Sequence, residues 1–152
     1  MPRLLTALAT AAALALPTLA TAQDMNPNVA ARHAVMDVLA YNLGQIGGMA
    51  QGRMPYDAAV ASTAANNIYH LAMLDIGPMF PEGTDNASTE GSRALPAIWS
   101  DMDGFNARWA ALQTAAEAMK DAAGTDLASL QGAMGGLGGA CGACHQTYRQ
   151  PQ

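Results

Sequence analysis

The chain has few charged residues, few aromatic residues and almost no cysteine. Of its 152 residues, 12% are charged, 5% are aromatic and two are cysteines. So little charge excludes a disordered polyelectrolyte, and two cysteines exclude a disulfide-rich scaffold. Seven basic residues against twelve acidic ones give a net charge of −5, which excludes the basic surface of a nucleic-acid-binding protein. The same acidic balance favours basic partners over acidic ones.

Hydrophobic residues, by contrast, make up 51% of the chain, and ten of them are methionines. Alanine, leucine and methionine lose little side-chain freedom in a helix, so this composition favours helices over strands. No stretch alternates polar residues with β-branched ones over the length that a strand needs. The sequence therefore predicts an all-α protein.

The first 22 residues have the three-part pattern of a secretory signal peptide. Arg3 supplies a positive start, residues 4–16 form an uncharged apolar run, and residues 20–22 form a small-x-small cleavage site. The apolar run is too short to span a bilayer easily, and no later run is long enough. We therefore predict cleavage after Ala22, which leaves residues 23–152 as one domain, without a membrane span, in a bacterial periplasm.

Apolar residues recur at spacings of three and four in four later segments, which is the pattern of amphipathic helices. The predicted helices begin at Pro27, near Pro55, around Pro96 and after Thr125, and the first three end near Ala50, Ile76 and Gly124. Asn26 is the predicted N-cap of the first helix and Thr125 that of the fourth. A long loop over residues 77–95 separates the second helix from the third. Four such helices bury their apolar stripes by packing side by side, which predicts an antiparallel up-down-up-down four-helix bundle.

The most specific motif lies near the C-terminus, where both cysteines occur in the string Cys141-Gly142-Ala143-Cys144-His145. A Cys-x-x-Cys-His string is typical of covalent haem attachment. The two thiols bond to the two vinyl groups of one porphyrin, and the histidine binds the iron as its proximal ligand. Because an export signal stands at the other end of the chain, the motif predicts one covalently attached haem c per chain, held by Cys141, Cys144 and His145.

Three other kinds of site use paired cysteines. A thioredoxin-like redox pair needs a preceding strand and a helix N-terminus that lowers the thiol pKa, whereas this motif ends a predicted helix. A zinc site needs a fourth ligand, for which only His33 and His70 remain. A disulfide between Cys141 and Cys144 would be strained within a helix. Haem attachment is therefore the favoured interpretation.

Only seven residues follow His145, so an upstream residue must cover the other face of the iron. Met36 is the candidate because it lies at the centre of the apolar stripe of the first helix, although ordinary core packing is the common role of a methionine. Arg32 lies one turn earlier on this stripe, where it either pairs with a haem propionate or extends to the end of the bundle. His33 is a rival iron ligand that we expect on a solvent-facing flank, and His70 is expected at the surface.

Two features around the motif complete the candidate site. Arg149 lies four residues after His145 and is expected on the same helical face, where it either tunes the proximal imidazole or stabilises a helix C-terminus. Six glycines weaken the predicted fourth helix by roughly 1 kcal/mol each relative to alanine. Close approach of the backbone to the porphyrin would account for some of them. They are Gly132, Gly135, Gly136, Gly138, Gly139 and Gly142.

Together these segments resemble the class II c-type cytochromes, the family of cytochrome c′ and its low-spin relatives. The resemblance covers essentially all of the predicted mature chain, and its C-terminal motif is highly specific. It rests on Arg32-x-x-x-Met36, Pro55-Tyr56-Asp57, Pro96-Ala97-Ile98-Trp99 and Cys141-x-x-Cys144-His145-x-x-Tyr148-Arg149, in that order. The resemblance implies a four-helix bundle with one haem, often a homodimer packed through its first two helices.

The resemblance also implies a role for each site residue. It implies thioether bonds at Cys141 and Cys144, iron ligation by His145, Arg32 near a propionate and Arg149 near the proximal face. Met36 falls where the family places the residue on the distal side of the iron. In low-spin members a methionine there binds the iron and the protein carries electrons; in cytochromes c′ the iron is five-coordinate and binds nitric oxide or carbon monoxide. We expect a non-enzymatic electron carrier that serves redox partner proteins, with gas binding as the alternative.

Overall fold

A computed structural model describes residues 25–151, all of them helical or in connecting loops apart from one isolated β-bridge. The predicted signal peptide over residues 1–22 lies outside these residues. None of the described helices is long and apolar enough to cross a membrane. The helices are α1 (Pro27–Ala50), α2 (Ala58–Ala72), α3 (Ala97–Ser100), α4 (Met102–Ala123) and α5 (Leu127–Tyr148), with a 3₁₀ turn at Gly77–Met79.

The four long helices form one bundle, so the predicted fold class is confirmed. Helix α1 packs on α2, α2 on α4 and α4 on α5, and a smaller contact between α1 and α5 closes the ring. Each fully buried aliphatic side chain contributes about 1.5–3 kcal/mol relative to an exposed one. The largest fully buried side chains are Val29, Ile46, Met49, Ile68, Ile98, Met119, Leu130 and Leu137.

Polar side chains set where the long helices begin. Asn26 caps α1 as predicted, through a side-chain oxygen that accepts from a backbone N–H of the first turn. Asp57 caps α2 in the same way, so this helix begins after the predicted start near Pro55. The predicted cap of the last helix, Thr125, is wrong. Asp126 caps α5 instead, because its carboxylate accepts from a first-turn N–H at 2.7 Å.

The second helix also ends earlier than the predicted Ile76. It ends at Ala72, and two side chains of α4 bind the carbonyl groups at this end. Trp109 Nε1 donates to the carbonyl oxygen of Leu74 at 3.3 Å, and Gln113 Nε2 donates to that of Ala72 at 3.2 Å. Carbonyl groups at a helix end have no partner within the helix, so these bonds attach the end of α2 firmly to α4.

The prediction of one continuous third helix is wrong at its first turn. The chain forms α3 as a single turn, leaves the helical conformation at Asp101, and then begins α4. The Asp101 carboxylate accepts from the backbone N–H of Gly104 at 3.1 Å and from the Tyr148 hydroxyl at 2.6 Å. The second bond comes from a residue 47 positions later, so the local pattern does not reveal this break.

Candidate haem site

A cavity of about 680 Å³ lies between α1 and α5, and the predicted site residues line it together. Its size falls within the range of about 300–1,000 Å³ that is usual for ligand and cofactor sites. From α1 it is lined by Arg32, His33 and Met36, and from the C-terminal segment by Cys141, Cys144, His145 and Arg149. Its apolar lining includes Ile68, Ile76, Phe80, Ile98, Phe105, Trp109, Leu112 and Leu137.

The two cysteines lie on the last turns of α5. Both are free thiols, and both are half-buried against the core. Burial raises the pKa of the Cys141 and Cys144 thiols above the ordinary value, and nearby Arg108 only partly offsets this for Cys144. A disulfide-exchanging pair needs the opposite shift, because its reactive form is the thiolate. The raised thiol pKa therefore counts against the thioredoxin-like alternative.

His145 follows the second cysteine directly and is also half-buried. Burial lowers its pKa, and the positive charges of Arg149 and Arg93 lower it further. Its imidazole is therefore neutral near pH 7, which is the form that binds a metal. The described residues contain no cluster of three or more histidine, cysteine or acidic side chains that would hold a zinc ion.

Arg32 is buried on α1, with 7% of its surface exposed, and it fastens the long loop over the cavity. Its Nε donates to the carbonyl oxygen of Met79 at 2.6 Å, and its Nη1 donates to that of Thr84 at 3.0 Å. A third bond joins its Nη2 to the Thr84 hydroxyl, and its guanidinium lies 4.2 Å from the centre of the Phe80 ring. Three of its five N–H groups are thus used, and two remain for a ligand.

Met36 and His33 both face the cavity from α1. Met36 is half-buried and packs against the core, and its place on the distal side of an iron stays a prediction. His33 is half-buried and lines the cavity, so the expectation of a solvent-facing flank is wrong for this residue. His70 is exposed, as expected.

Arg149 reaches the cavity, but not on the helical face that the sequence predicts. Its backbone is extended, and it pairs with Ala94 in an antiparallel bridge. Two backbone bonds form this bridge, from the N–H of Leu95 to the Tyr148 carbonyl at 2.9 Å and from the N–H of Gln150 to the Arg93 carbonyl at 2.8 Å. The Arg149 Nε is buried without a hydrogen-bond partner among residues 25–151.

Sequence reasoning missed the bond between Tyr148 and Asp101. Tyr148 is buried one turn after Cys144, lines the cavity and packs edge-on against Phe105, with ring centres 5.6 Å apart. The Asp101 hydrogen bond raises the pKa of Tyr148 and lowers that of Asp101. The bond anchors the haem-attachment helix to α4. Gly104 is the signal that could have pointed to it, because a side chain there would overlap both partners.

The six glycines of α5 remain without a packing role in the protein itself. An added Cβ would meet no protein atom within 4 Å at any of them, and five of the six are exposed. Only Gly142 is half-buried. None of the six lines the cavity either, so neither the packing of the bundle nor the cavity lining accounts for them.

The residues of the cavity fit a covalently attached haem. Two thiols and a neutral imidazole line an apolar cavity. The Nε of Arg149 is a buried donor without a hydrogen-bond acceptor among the described residues. Buried donors are normally paired, so this atom points to a missing group.

Comparison with known proteins agrees with this fit. A family model described as Cytochrome C′ matches residues 27–149. Cytochrome c-554 of Cereibacter sphaeroides is 47% identical over 138 residues, which cover 90% of each chain. The solved cytochrome c′ from Rhodobacter sphaeroides is 36% identical, with a TM-score of 0.81 over 83% of this chain and 97% of that chain. A nitric oxide complex of a cytochrome c′ variant from Alcaligenes xylosoxidans is 31% identical, with a TM-score of 0.72 over 83% and 95% of the two chains. The chain therefore belongs to the cytochrome c′ family, and its cofactor is a covalently attached haem c.

Proposed function

We propose that this protein is a mono-haem c-type cytochrome that carries single electrons. Cys141 and Cys144 form the thioether bonds, and His145 is the proximal ligand. Bound in this way, the haem supplies an iron that changes oxidation state by one electron. The chain attaches and orients the group, and its apolar cavity keeps water away from it.

The position of Met36 carries this proposal. It lines the cavity from α1, whereas Cys141, Cys144 and His145 line it from α5. A thioether paired with a histidine is the ligand set of electron-carrying c-type cytochromes. If Met36 and His145 both held the iron, the site would favour electron transfer over the binding of a small molecule.

Two arginines complete the proposed site. Arg32 holds a haem propionate with the two N–H groups that the loop leaves free, because a guanidinium binds carboxylates through paired hydrogen bonds. Arg149 sits on the proximal side, where its charge acts on His145 and lowers the pKa of that imidazole. Neither residue takes part in substrate turnover, and the function is not enzymatic.

A second candidate function is the binding of nitric oxide or carbon monoxide, with Met36 as a distal lid that does not bond to the iron. Two observations favour it. One similar solved structure is a nitric oxide complex, and Met36 is only half-buried, which leaves its side chain room to move.

Optical and paramagnetic-resonance spectra of both oxidation states separate the two functions. Electron transfer predicts a low-spin wild-type protein that takes up carbon monoxide slowly, and a Met36→Leu variant that becomes high-spin and takes it up readily. Met134→Leu is the matched control, because Met134 is a half-buried methionine of α5 that does not line the cavity. A wild-type ferrous form that is already high-spin and binds carbon monoxide readily overturns Met36 ligation and supports gas binding.

We further propose that the mature protein acts in the periplasm as a homodimer packed through α1 and α2, with basic redox partners. Exposed apolar side chains on these helices support this packing, namely Val38, Tyr41 and Val60. Mass spectrometry of the exported protein should find Gln23 at the N-terminus, and sedimentation should find a dimer. An exported protein that still begins with Met1, or a monomer at high concentration, contradicts these assignments.

A further inference from the structure

A second hollow opens on the surface where α2 ends and α4 begins. Its volume is about 540 Å³. It is lined by Met73, Leu74, Asp75, Ile76, Gly77, Met102, Asn106, Trp109 and Gln113. We call this surface the methionine patch.

Three large apolar side chains are exposed at the rim of the methionine patch. Met73 is 42% exposed, Leu74 is 40% exposed and Met102 is 36% exposed. Single exposed apolar residues are common, but three large ones around one hollow are typical of an interaction surface. Methionine side chains also adapt their shape to different partners, which suits transient docking.

The floor of the patch is rigid and adjoins the haem cavity. Trp109 is fixed by its hydrogen bond to Leu74, and Gln113 by its bond to Ala72. Trp109 and Ile76 line both the methionine patch and the haem cavity. The two spaces therefore share a wall of two side chains, so a partner on the patch comes close to the haem.

The charge around the patch is negative. Asp75 is the only charged residue of its lining, and exposed Asp103 directly follows Met102 on α4. An apolar centre with an acidic rim complements a partner whose own apolar contact surface is surrounded by lysines or arginines.

We propose that the methionine patch is the docking surface for a basic one-electron redox protein. The inference rests on the proposed electron-carrier function. A reduced partner docked there would lose one electron and a ferric haem would gain it, and Trp109 and Ile76 belong to the wall that the patch shares with the cavity. No bond is made or broken, and no proton moves.

Tris(bipyridine)ruthenium(II) is a suitable probe, because it is a dication with an apolar aromatic surface. After a light flash it gives one electron to a ferric haem and becomes ruthenium(III). Its binding site is measured separately, without any electron transfer, from the methyl resonances of ¹³C-labelled methionines in the holoprotein. We expect shifts at Met73 and Met102 and none at Met54, an equally exposed methionine at the other end of α2.

Two charge variants test the acidic rim. Asp75→Asn with Asp103→Asn should weaken probe binding and slow flash reduction by about 3–10-fold, the size expected for two exposed charges. The Asp75 substitution keeps the side-chain oxygen that accepts from Gly77. The matched control is Glu90→Gln with Glu117→Gln, which removes the same charge from two other exposed positions and should leave both quantities nearly unchanged.

The outcomes separate this proposal from the proposed function. Shifts at Met54 as large as those at Met73 and Met102, or equal effects of the two double variants, overturn the docking surface. Shifts at Met73 and Met102 on diluting the protein without probe show that a second copy covers the patch, and also overturn it. The electron-carrier function is tested separately. It fails if the ferrous wild-type protein is high-spin and binds carbon monoxide readily, whatever the probe does at the patch.

Discussion

Replacing exposed glycines of α5 with alanine should stabilise the protein. Gly132, Gly135 and Gly136 lie within the helix, five or more residues before Cys141, and are exposed. An added Cβ at each position meets no protein atom within 4 Å. The substitutions therefore remove backbone freedom from the unfolded chain without creating a clash in the folded one.

The expected gain follows from helix propensity. Alanine stabilises an exposed helix interior by about 0.5–1 kcal/mol relative to glycine, so the triple variant should gain about 1.5–3 kcal/mol. For a domain of this size, 1 kcal/mol corresponds to a rise in Tm of about 3–5 °C, which gives a total rise of about 5–15 °C.

Urea and thermal unfolding of the holoprotein, followed by far-ultraviolet circular dichroism, measure this gain. Gly104→Ala is the control, because it is the same substitution within a helix but its Cβ would overlap Asp101 and Tyr148. It should lower the unfolding free energy while the triple variant raises it. A triple variant that is no more stable than the wild type would refute the reasoning.

Two more predictions follow from the polar contacts. Arg32→Lys loses the planar fork that holds the loop, so it should lower the unfolding free energy by about 1–3 kcal/mol and speed proteolysis within residues 79–92, whereas exposed Arg53→Lys should change neither. Equal behaviour of the two variants would contradict the anchoring role. Hydrogen bonds, chiefly from Tyr148, lower the pKa of Asp101, and bonds from Ser129 lower that of Asp126. Both carboxylates therefore stabilise the fold above their unfolded pKa of about 3.9 and lose this effect as pH falls through the lower folded values. The urea concentration at the unfolding midpoint should therefore decrease as the pH is lowered below about 4. It should decrease less steeply in a variant with asparagine at both positions. The same dependence on pH in that variant would count against the assignment.

The parts of the site that depend on local spacing can be predicted from the sequence. Cys141, Cys144 and His145 form a contiguous motif, so their grouping needs no tertiary information. The stripe of α1 likewise places Arg32 and Met36 on the side that lines the cavity. Periodicity also locates the long helices, because each buries one face in a shared core.

The parts that depend on distant contacts cannot be read in this way. The break at Asp101 is fixed by Tyr148, and the extended backbone of Arg149 is fixed by Ala94. The sequence also predicts a haem propionate as a partner of Arg32. In the structure, three N–H groups of Arg32 donate to the carbonyl oxygens of Met79 and Thr84 and to the Thr84 hydroxyl, about 50 residues away. In each case the deciding partner lies far along the chain.

The bridge between Ala94 and Arg149 changes how the end of the chain behaves. The last turn of a helix normally opens more readily than its middle, because fewer bonds hold it. Here the turn that carries His145 opens only when the long loop separates from it as well. Amide hydrogens near His145 should therefore exchange together with those of residues 93–95. Although His145 lies close to the end of the chain, its turn should be protected from exchange like a turn in the middle of a helix.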